Sequence, residues 1–192
     1  MNAKTDPMNK RQTGFTLVEL MITLAVAAIL MAIATPSFIT MTQNNRMTTQ
    51  VNDFVSSLNL ARSEAIKRGT RITVCKSNDN ASCAANNNWD QGWIIFADTD
   101  NDAVVDAGEE LIRAYAPLAP GNTLTGSGNV DTYISYVGSG FLQQTDGSIQ
   151  SGELALCDNR GFAASGRAII LGASGQIRTA PGDDGNDTVI AC

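Results

Sequence analysis

The chain has 192 residues, of which 43% are hydrophobic and 17% are charged, and its formal net charge is −6. This length accommodates one membrane segment and one domain of about 120 to 150 residues with its own core. The absence of histidine removes the Ser-His-Asp and Cys-His routes to an activated nucleophile. The acidic balance disfavours DNA as a partner, because DNA phosphates are held mainly by Lys and Arg.

The N-terminal region combines a short basic segment with a long uncharged one. No side chain between Glu19 and Arg46 is charged, and from Leu20 to Ala34 only Thr23 is polar. A run of this length can span a bilayer, which requires about 20 apolar residues. A carboxylate in lipid costs about 2.5 to 3.5 kcal/mol, so we expect Glu19 to have a function and a partner.

Two processing patterns compete in this region. The basic segment, the apolar run and the Ala-x-Ala pattern of residues 32–34 imitate a secretory signal with its cleavage site. The acid inside the run, and the continuation of the run beyond that site, argue against this interpretation. Cleavage between Gly14 and Phe15 would instead place a new amino group four residues from Glu19. Ammonium and carboxylate groups of neighbouring chains could then neutralise each other in lipid.

The predicted helix continues beyond the apolar run. Pro36 is expected to bend it, since apolar residues resume at intervals of three and four after the proline. Gly69 follows Lys67 and Arg68 and is expected to end the helix. The predicted apolar stripe consists of Met47, Val51, Phe54, Val55, Leu58, Ala61 and Ala65.

After Gly69 the pattern changes to short runs separated by Gly, Asn, Asp and Ser, which is typical of antiparallel strands. The predicted strands are residues 71–76, 93–97, 111–115, 133–137, 154–157, 167–171 and 176–179. Three loops are indicated: one at Pro117 and Pro120, one at Gly126 and Gly128, and one that holds Pro181 and residues 182–187. The sequence therefore predicts an α+β fold in which a long N-terminal helix, transmembrane and then amphipathic, packs on antiparallel β-sheets.

The chain contains four cysteines, Cys75, Cys83, Cys157 and Cys192. Placed after a membrane anchor, they indicate an oxidising, periplasm-like compartment in which disulfides persist. Sequence alone does not separate the three possible pairings, although the spacing favours Cys75 with Cys83 and Cys157 with Cys192. A zinc site is disfavoured because the chain has neither a C-x-x-C pattern nor histidine.

Residues 98–109 follow the spacing of an EF-hand loop, with acids at positions 1, 3, 5, 9 and 12 and a hydrophobic residue at position 8. These acids are Asp98, Asp100, Asp102, Asp106 and Glu109. Two features detract from a calcium site. Position 6 is Ala103 where the EF-hand has glycine, and the flanking segments are predicted strands. A solvated acidic turn is the favoured interpretation, and bound Ca²⁺ is the alternative; no other cofactor is expected.

The remaining candidate sites are predicted to be structural. Trp89 and Trp93 could form a stacking platform, but an aromatic residue near the start of a strand is more often part of a core. The adjacent acids at 109–110 and 183–184 suggest acid–base chemistry, whereas loop acids are usually only solvated. We therefore predict that the protein is not an enzyme.

The leader ending in Gly14, followed by Phe-Thr-Leu-Val-Glu at residues 15–19, resembles the processing site of type IV prepilins and type II secretion pseudopilins. This resemblance implies that a prepilin peptidase cuts after Gly14 and methylates the amino group of Phe15. It also implies that Glu19 docks each subunit into the growing filament. Removal of the leader leaves 10 basic and 18 acidic residues, a net charge of −8 (the leader holds Lys4, Lys10, Arg11 and Asp6).

The later part of the chain is similar to the GspH/FimT/FimU branch of pilin-like proteins at residues 61–69, 92–96 and 166–169. This implies a minor pilin in the tip or priming complex of a type IV pilus, with a type II secretion pseudopilin as the alternative. The implied partners are other minor and major pilins or pseudopilins, the prepilin peptidase and the inner-membrane assembly platform. The implied location is the inner membrane, single-pass, with a periplasmic C-terminal domain, and then the filament. The expected segments are a leader (1–14), a transmembrane half-helix (15–38), an amphipathic half-helix (39–69) and a β-rich domain (70–192).

Some FimT-like members are implicated in DNA uptake through a basic Gly-Arg-x-Arg stretch near the carboxyl terminus. The matching residues 175–178 read Gly-Gln-Ile-Arg, so only Arg178 remains of the two arginines. Asp183, Asp184 and Asp187 follow closely. A DNA-uptake pilin is therefore a further, disfavoured alternative, with weak and salt-sensitive binding at most.

Overall fold

The computed structural model of the protein describes residues 14–85, 88–161 and 165–182. Over these ranges a long helix, α1 (Leu17–Arg68), precedes eight strands. The strands are β1 (Ile72–Lys76), β2 (Trp93–Ala97), β3 (Leu111–Tyr115), β4 (Thr123–Gly126), β5 (Tyr133–Tyr136), β6 (Gly152–Cys157), β7 (Arg167–Leu171) and β8 (Ile177–Pro181). The predicted α+β class, with a long N-terminal helix and antiparallel sheets, is confirmed.

The chain divides into two compact units, the first ending at Thr42 and the second beginning at Gln43. In the first unit, the most apolar stretch of α1 has none of its residues buried, and by length and composition α1 can cross a membrane. Pro36 lies inside the helix. A helix that is apolar on all sides and uncovered requires lipid or other helices as its surroundings.

The second unit begins with the part of α1 that carries the predicted stripe. The buried residues of α1 are Met47, Val51, Phe54, Ser57, Leu58, Ala61 and Ala65, and Val55 is partly buried against the same core. Gly69 has a φ of 67°, and its N–H donates to the carbonyl of Ala65 at 2.9 Å. Glycine is favoured in this left-handed position, which ends the helix where the sequence predicts.

The strands form two four-stranded antiparallel sheets with the orders β3-β2-β1-β5 and β4-β6-β7-β8. β1 and β2 are buried along their whole length. The stripe of α1 and the inner faces of both sheets share one hydrophobic cluster. Each element thereby buries the apolar face that it could not keep in water.

The two tryptophans belong to this core, as predicted. Trp89 is 0% and Trp93 is 1% exposed, and both make edge-on contacts with Phe54. The indole N–H of Trp93 donates to the Ser57 hydroxyl at 2.9 Å. This bond explains how a hydroxyl is accommodated within the buried stripe of α1, because a buried polar group is costly unless it is hydrogen-bonded.

Two loop predictions are wrong, and both concern edge strands. Gly126, predicted to lie in a loop, ends β4, whose pairing with β6 places Leu124 opposite Leu156. Pro181, also predicted to lie in a loop, ends β8 and pairs with Arg167. Short strands at a sheet edge take their stability from one neighbour and tolerate proline, so local residue preferences do not reveal them.

Arg62 of α1 connects the helix to two turns. Its Nε donates to the carbonyl of Gly140 at 3.1 Å, and its Nη2 donates to the carbonyl of Ser174 at 3.0 Å. Gly175, in the β7–β8 turn, has a φ of 78°, and a Cβ there would lie 2.1 Å from the Gly140 oxygen. Only glycine therefore permits this approach of the two turns.

We expect Gly175→Ala to lower the free energy of unfolding by about 3 kcal/mol, because the added Cβ meets a carbonyl and φ is unfavourable. Gly147→Ala is the matched control, since its φ is 86° but no atom lies within 4 Å of the added Cβ; we expect a loss of about 1 kcal/mol. Denaturant titration of the full chain in detergent, followed by tryptophan fluorescence, measures both. Equal losses would contradict the assigned contact.

Candidate functional site

The predicted processing site lies immediately before α1. Gly14 and Phe15 are not helical, and Phe15 is 85% exposed. The rest of the predicted leader, residues 1–13, lies outside the described residues. The peptide bond between Gly14 and Phe15 is therefore exposed and lies outside the helix.

Glu19 takes part in a capping box at the start of α1. The Thr16 hydroxyl accepts a hydrogen bond from the backbone N–H of Glu19 at 3.2 Å. In return, Glu19 Oε2 accepts hydrogen bonds from the backbone N–H and the hydroxyl of Thr16, at 3.2 and 3.3 Å. The carboxylate therefore satisfies donors at the helix terminus. The role of Thr16 was not predicted, although the Thr-x-x-Glu spacing is a recognisable capping signal.

The hydroxyls of the apolar half of α1 are also satisfied within the helix. Thr23 donates to the carbonyl of Leu20 at 2.8 Å, and Thr35 donates to that of Met31 at 2.7 Å. A polar group that bonds inside its own segment does not need water. These threonines are therefore compatible with lipid.

The acidic loop joins β2 to β3 and brings three of its five predicted ligands together. Asp98, Asp100 and Asp102 each offer a carboxylate oxygen, and these oxygens lie within 4.8 Å of one another. Asp106 and Glu109 are not in this group. Glu109 instead accepts hydrogen bonds from the backbone N–H of Thr99 at 2.6 Å and of Asp106 at 3.2 Å.

Asp98 is fully buried and organises the first turn of the loop. It accepts hydrogen bonds from the N–H of Asp102 at 3.1 Å, the N–H of Ala103 at 3.2 Å and the hydroxyl of Thr73 at 2.7 Å. Ala103 has a φ of 61°, so alanine adopts the left-handed conformation for which EF-hand loops use glycine at this position. One of the two objections to a cation site is thereby removed, whereas the flanking elements are strands, as predicted.

The loop carboxylates repel one another. Burial raises the pKa of Asp98 against the opposing effect of the Thr73 hydroxyl. The negative charge of Asp102 raises the pKa of Asp106, with burial and Asp100 acting in the same direction. A cation in the loop would relieve this repulsion.

Arg71, only 7% exposed, holds the acidic loop against neighbouring segments. Its Nε donates to the Asn101 side chain at 2.8 Å. Its Nη1 donates to the Ser135 hydroxyl and to the Gln143 carbonyl, each at 2.7 Å, and its Nη2 reaches the Gln144 carbonyl at 3.2 Å. No local pattern in the sequence predicted this network, because its acceptors come from three separate loops and strands.

Cys75 and Cys83 form a disulfide bond, as their spacing suggested. Cys157 is buried on β6, and its predicted partner Cys192 lies outside the described residues, so that pairing stays a prediction. Glu110, one of the paired acids, forms an ion pair with Arg68 at 2.6 Å. The acids at 183–184 and Asp187 also lie outside the described residues.

Arg178, the candidate DNA contact, is exposed on β8 opposite Ile170 of β7. Among the described residues it has no hydrogen-bond or ion-pair partner. In the part of the chain that the structure describes, the residue opposite Arg178 is the apolar Ile170, whereas a surface that binds phosphate backbones is rich in Lys and Arg.

A helix of membrane-spanning length that continues into the core of a domain with two antiparallel sheets is the architecture of pilin-like proteins. The sequence model described as "Type II transport protein GspH" matches residues 50–175, which is more than half of the chain. The chain therefore belongs to the GspH family. The model described as "Prokaryotic N-terminal methylation motif" matches residues 9–35.

Individual proteins and solved structures are also similar to this chain. A fimbrial protein of Pseudomonas aeruginosa is 44% identical over 63 residues, which are 33% of this chain and 40% of that protein. The crystal structure of the type IV minor pilin FimU of Pseudomonas aeruginosa aligns with a TM-score of 0.55 and 20% identity, covering 74% of this chain and 94% of that one. The minor pseudopilin EpsH of Vibrio cholerae aligns with a TM-score of 0.48 and 13% identity, covering 72% and 99%.

We expect Thr16→Val to speed amide hydrogen exchange in the first turn of α1 about fivefold in detergent micelles, since loss of an N-cap costs about 1 kcal/mol. Thr23→Val is the matched control, because Thr23 bonds only to a carbonyl of its own helix. We expect no change in the first turn for the control. Equal exchange in the two variants would contradict the capping role of Thr16.

Proposed function

We propose that the protein is a minor pilin of a type IV pilus, needed for assembly and incorporated in the tip or priming complex. The observation that carries the proposal is an uncovered apolar helix with the methylation motif and a single carboxylate in its first turn. The fimbrial relatives support a pilus, although the match spans only 40% of their length. A type II secretion pseudopilin is the second candidate, favoured by the description of the GspH family.

In the proposed pathway the protein is first a membrane protein. The basic leader stays on the cytoplasmic side under the positive-inside rule, and the β-rich domain faces the periplasm. The Cys75–Cys83 disulfide suits that oxidising compartment. The prepilin peptidase then cuts after Gly14 and methylates Phe15, and the apolar helix is extracted to pack against the helices of other subunits on the assembly platform.

The capping box suggests how Glu19 serves both stages. Within the subunit, Oε2 takes both donors from Thr16, whereas no described residue donates to Oε1. The local bonds offset part of the cost of holding a carboxylate in lipid. Oε1 is then the atom that accepts a hydrogen bond from the methylated amino group of Phe15, or from another donor, on a neighbouring subunit.

Glu19→Ala should be processed normally by the prepilin peptidase, but its amount in sheared filaments should fall at least about tenfold, the effect of losing 1.4 kcal/mol of docking energy. Immunoblots of membranes and filaments, with Thr23→Val as the control, measure both steps. The same strains are assayed for pili and for type II secretion. Loss of pili supports the minor pilin, and loss of secretion supports the pseudopilin. Normal incorporation of Glu19→Ala would refute the role of Glu19.

We also propose that the loop of residues 98–109 holds a calcium ion. Asp98, Asp100 and Asp102 would be its ligands, since their oxygens already converge. The negative charge of Asp102 raises the pKa of Asp106, and a cation bound in the loop would neutralise part of that charge. The site is independent of the assembly role of Glu19, and its contribution would be to order the loop.

We expect isothermal titration of the full chain with Ca²⁺ to give a binding heat that Asp100→Ala abolishes and Asp146→Ala retains. Asp146 is a loop acid that accepts hydrogen bonds from Ser148 and lies outside the cluster. Because burial raises the pKa of the ligand Asp98, protons should compete with Ca²⁺ at a higher pH than they would for an ordinary aspartate. The affinity should therefore weaken on acidification, and the loss should begin above the pH range in which ordinary aspartates titrate. A wild-type heat no larger than that of Asp100→Ala would leave the solvated turn as the correct interpretation.

A DNA-uptake role is the least supported candidate. The contact would rest on Arg178 alone, and one phosphate contact gives weak binding that salt abolishes. The net charge of −8 after processing opposes the approach of a polyanion. Tight binding in a low-salt gel-shift assay would overturn this judgement.

A further inference from the structure

A polar cleft lies at the beginning of the second unit, where two loops pack against α1. Its volume is about 230 Å³, and it is lined by Gln43, Arg46, Pro120, Gly121, Asn122, Asp158 and Asn159. Hydrogen bonds hold both walls to the helix. The Asn122 side chain donates to the side-chain oxygen of Gln50, and Arg160 Nη1 donates to Asn44 Oδ1 at 2.8 Å.

Arg46 supplies the uncompensated charge of this cleft. It is exposed, and in the described part of the chain no group accepts a hydrogen bond from it or pairs with it. The acid of the cleft, Asp158, is already paired, because it accepts hydrogen bonds from Arg160 at 2.6 and 2.9 Å and from Ser165 at 2.7 Å. Arg160 lowers the pKa of Asp158 to about 2, so the two form a pair without net charge. The cleft therefore presents one free guanidinium together with neutral amide groups.

Arg46 lies close in the chain to the predicted end of the membrane-spanning segment, which is Phe38. Eight residues of α1 separate the two, and at about 1.5 Å per residue this is a path of at most about 12 Å. The headgroup layer extends about 5 to 8 Å beyond the hydrocarbon on each side. Helical side chains lean toward the N-terminus, and arginine extends its charge along a long apolar stem. The guanidinium can therefore reach the lipid phosphates.

We infer that this cleft binds the phosphate of an anionic phospholipid headgroup while the protein is anchored in the membrane. The guanidinium of Arg46 would donate two parallel hydrogen bonds to the phosphate oxygens. The side-chain amides of Gln43 and Asn159 would supply further donors. The inference rests on the membrane anchoring of the proposed function. The contact would hold the folded domain at the bilayer until the helix is extracted.

The test uses the full chain in nanodiscs of phosphatidylcholine alone or of an equal mixture with phosphatidylglycerol. Hydrogen exchange of residues 117–123 and 156–161 is followed by mass spectrometry. We expect exchange about fivefold slower with phosphatidylglycerol, the effect of one arginine at an anionic surface. Arg46→Gln should abolish the difference. Arg113→Gln should retain it, since Arg113 is an exposed arginine that stacks on Tyr115.

Three results would overturn the inference. Equal hydrogen exchange of the wild type in the two nanodiscs excludes an anionic lipid as the occupant of the cleft. Equal slowing when millimolar inorganic phosphate is added to phosphatidylcholine nanodiscs indicates a site for a free anion. If exchange does not depend on lipid and Arg46→Gln loses co-purifying filament subunits, the occupant is a carboxylate of a neighbouring protein. Failure of every variant to enter nanodiscs would instead refute the membrane anchoring itself.

Discussion

The main constraint on this structure is that the two halves of α1 must be stable in different surroundings. Its apolar half buries nothing within its own unit, so its stability must come from lipid or from the helices of other subunits. Its other half presents one apolar stripe to the sheets and is stabilised by the core of the domain. One continuous helix therefore combines a segment whose apolar residues need lipid or other helices around them with a segment whose apolar stripe is covered by its own domain.

The polar groups follow the same division. In the first unit, hydroxyls and the carboxylate of Glu19 bond to the helix that carries them, as groups in lipid must. In the second unit, Arg62 and Arg71 donate to carbonyls of distant turns. These arginines fix the loops whose carbonyls would otherwise face the interior without a donor. One buried arginine and one partly buried arginine thus position segments that contribute little apolar surface.

The regions proposed to bind ligands differ in how far they are organised within one subunit. The acidic loop holds three carboxylates close together, and the cleft at Arg46 has walls that are hydrogen-bonded to α1. The region around Glu19, in contrast, holds one carboxylate oxygen by local bonds and leaves the other without a described donor. Such an incomplete site suits a residue whose proposed partner is on another chain.

The sequence by itself determined the apolar segment, the stripe of α1, the Gly69 cap, seven of the strands and the acidic loop, because each follows from local spacing and residue type. Only the tertiary structure decided the existence of β4, the contact between Gly175 and Gly140, the networks of Arg62 and Arg71 and the cleft at Arg46. These features depend on groups that are far apart in the chain and become neighbours only when the two sheets close over α1. No periodicity within one segment can report such contacts, whereas the membrane segment needs no tertiary contact to be recognised.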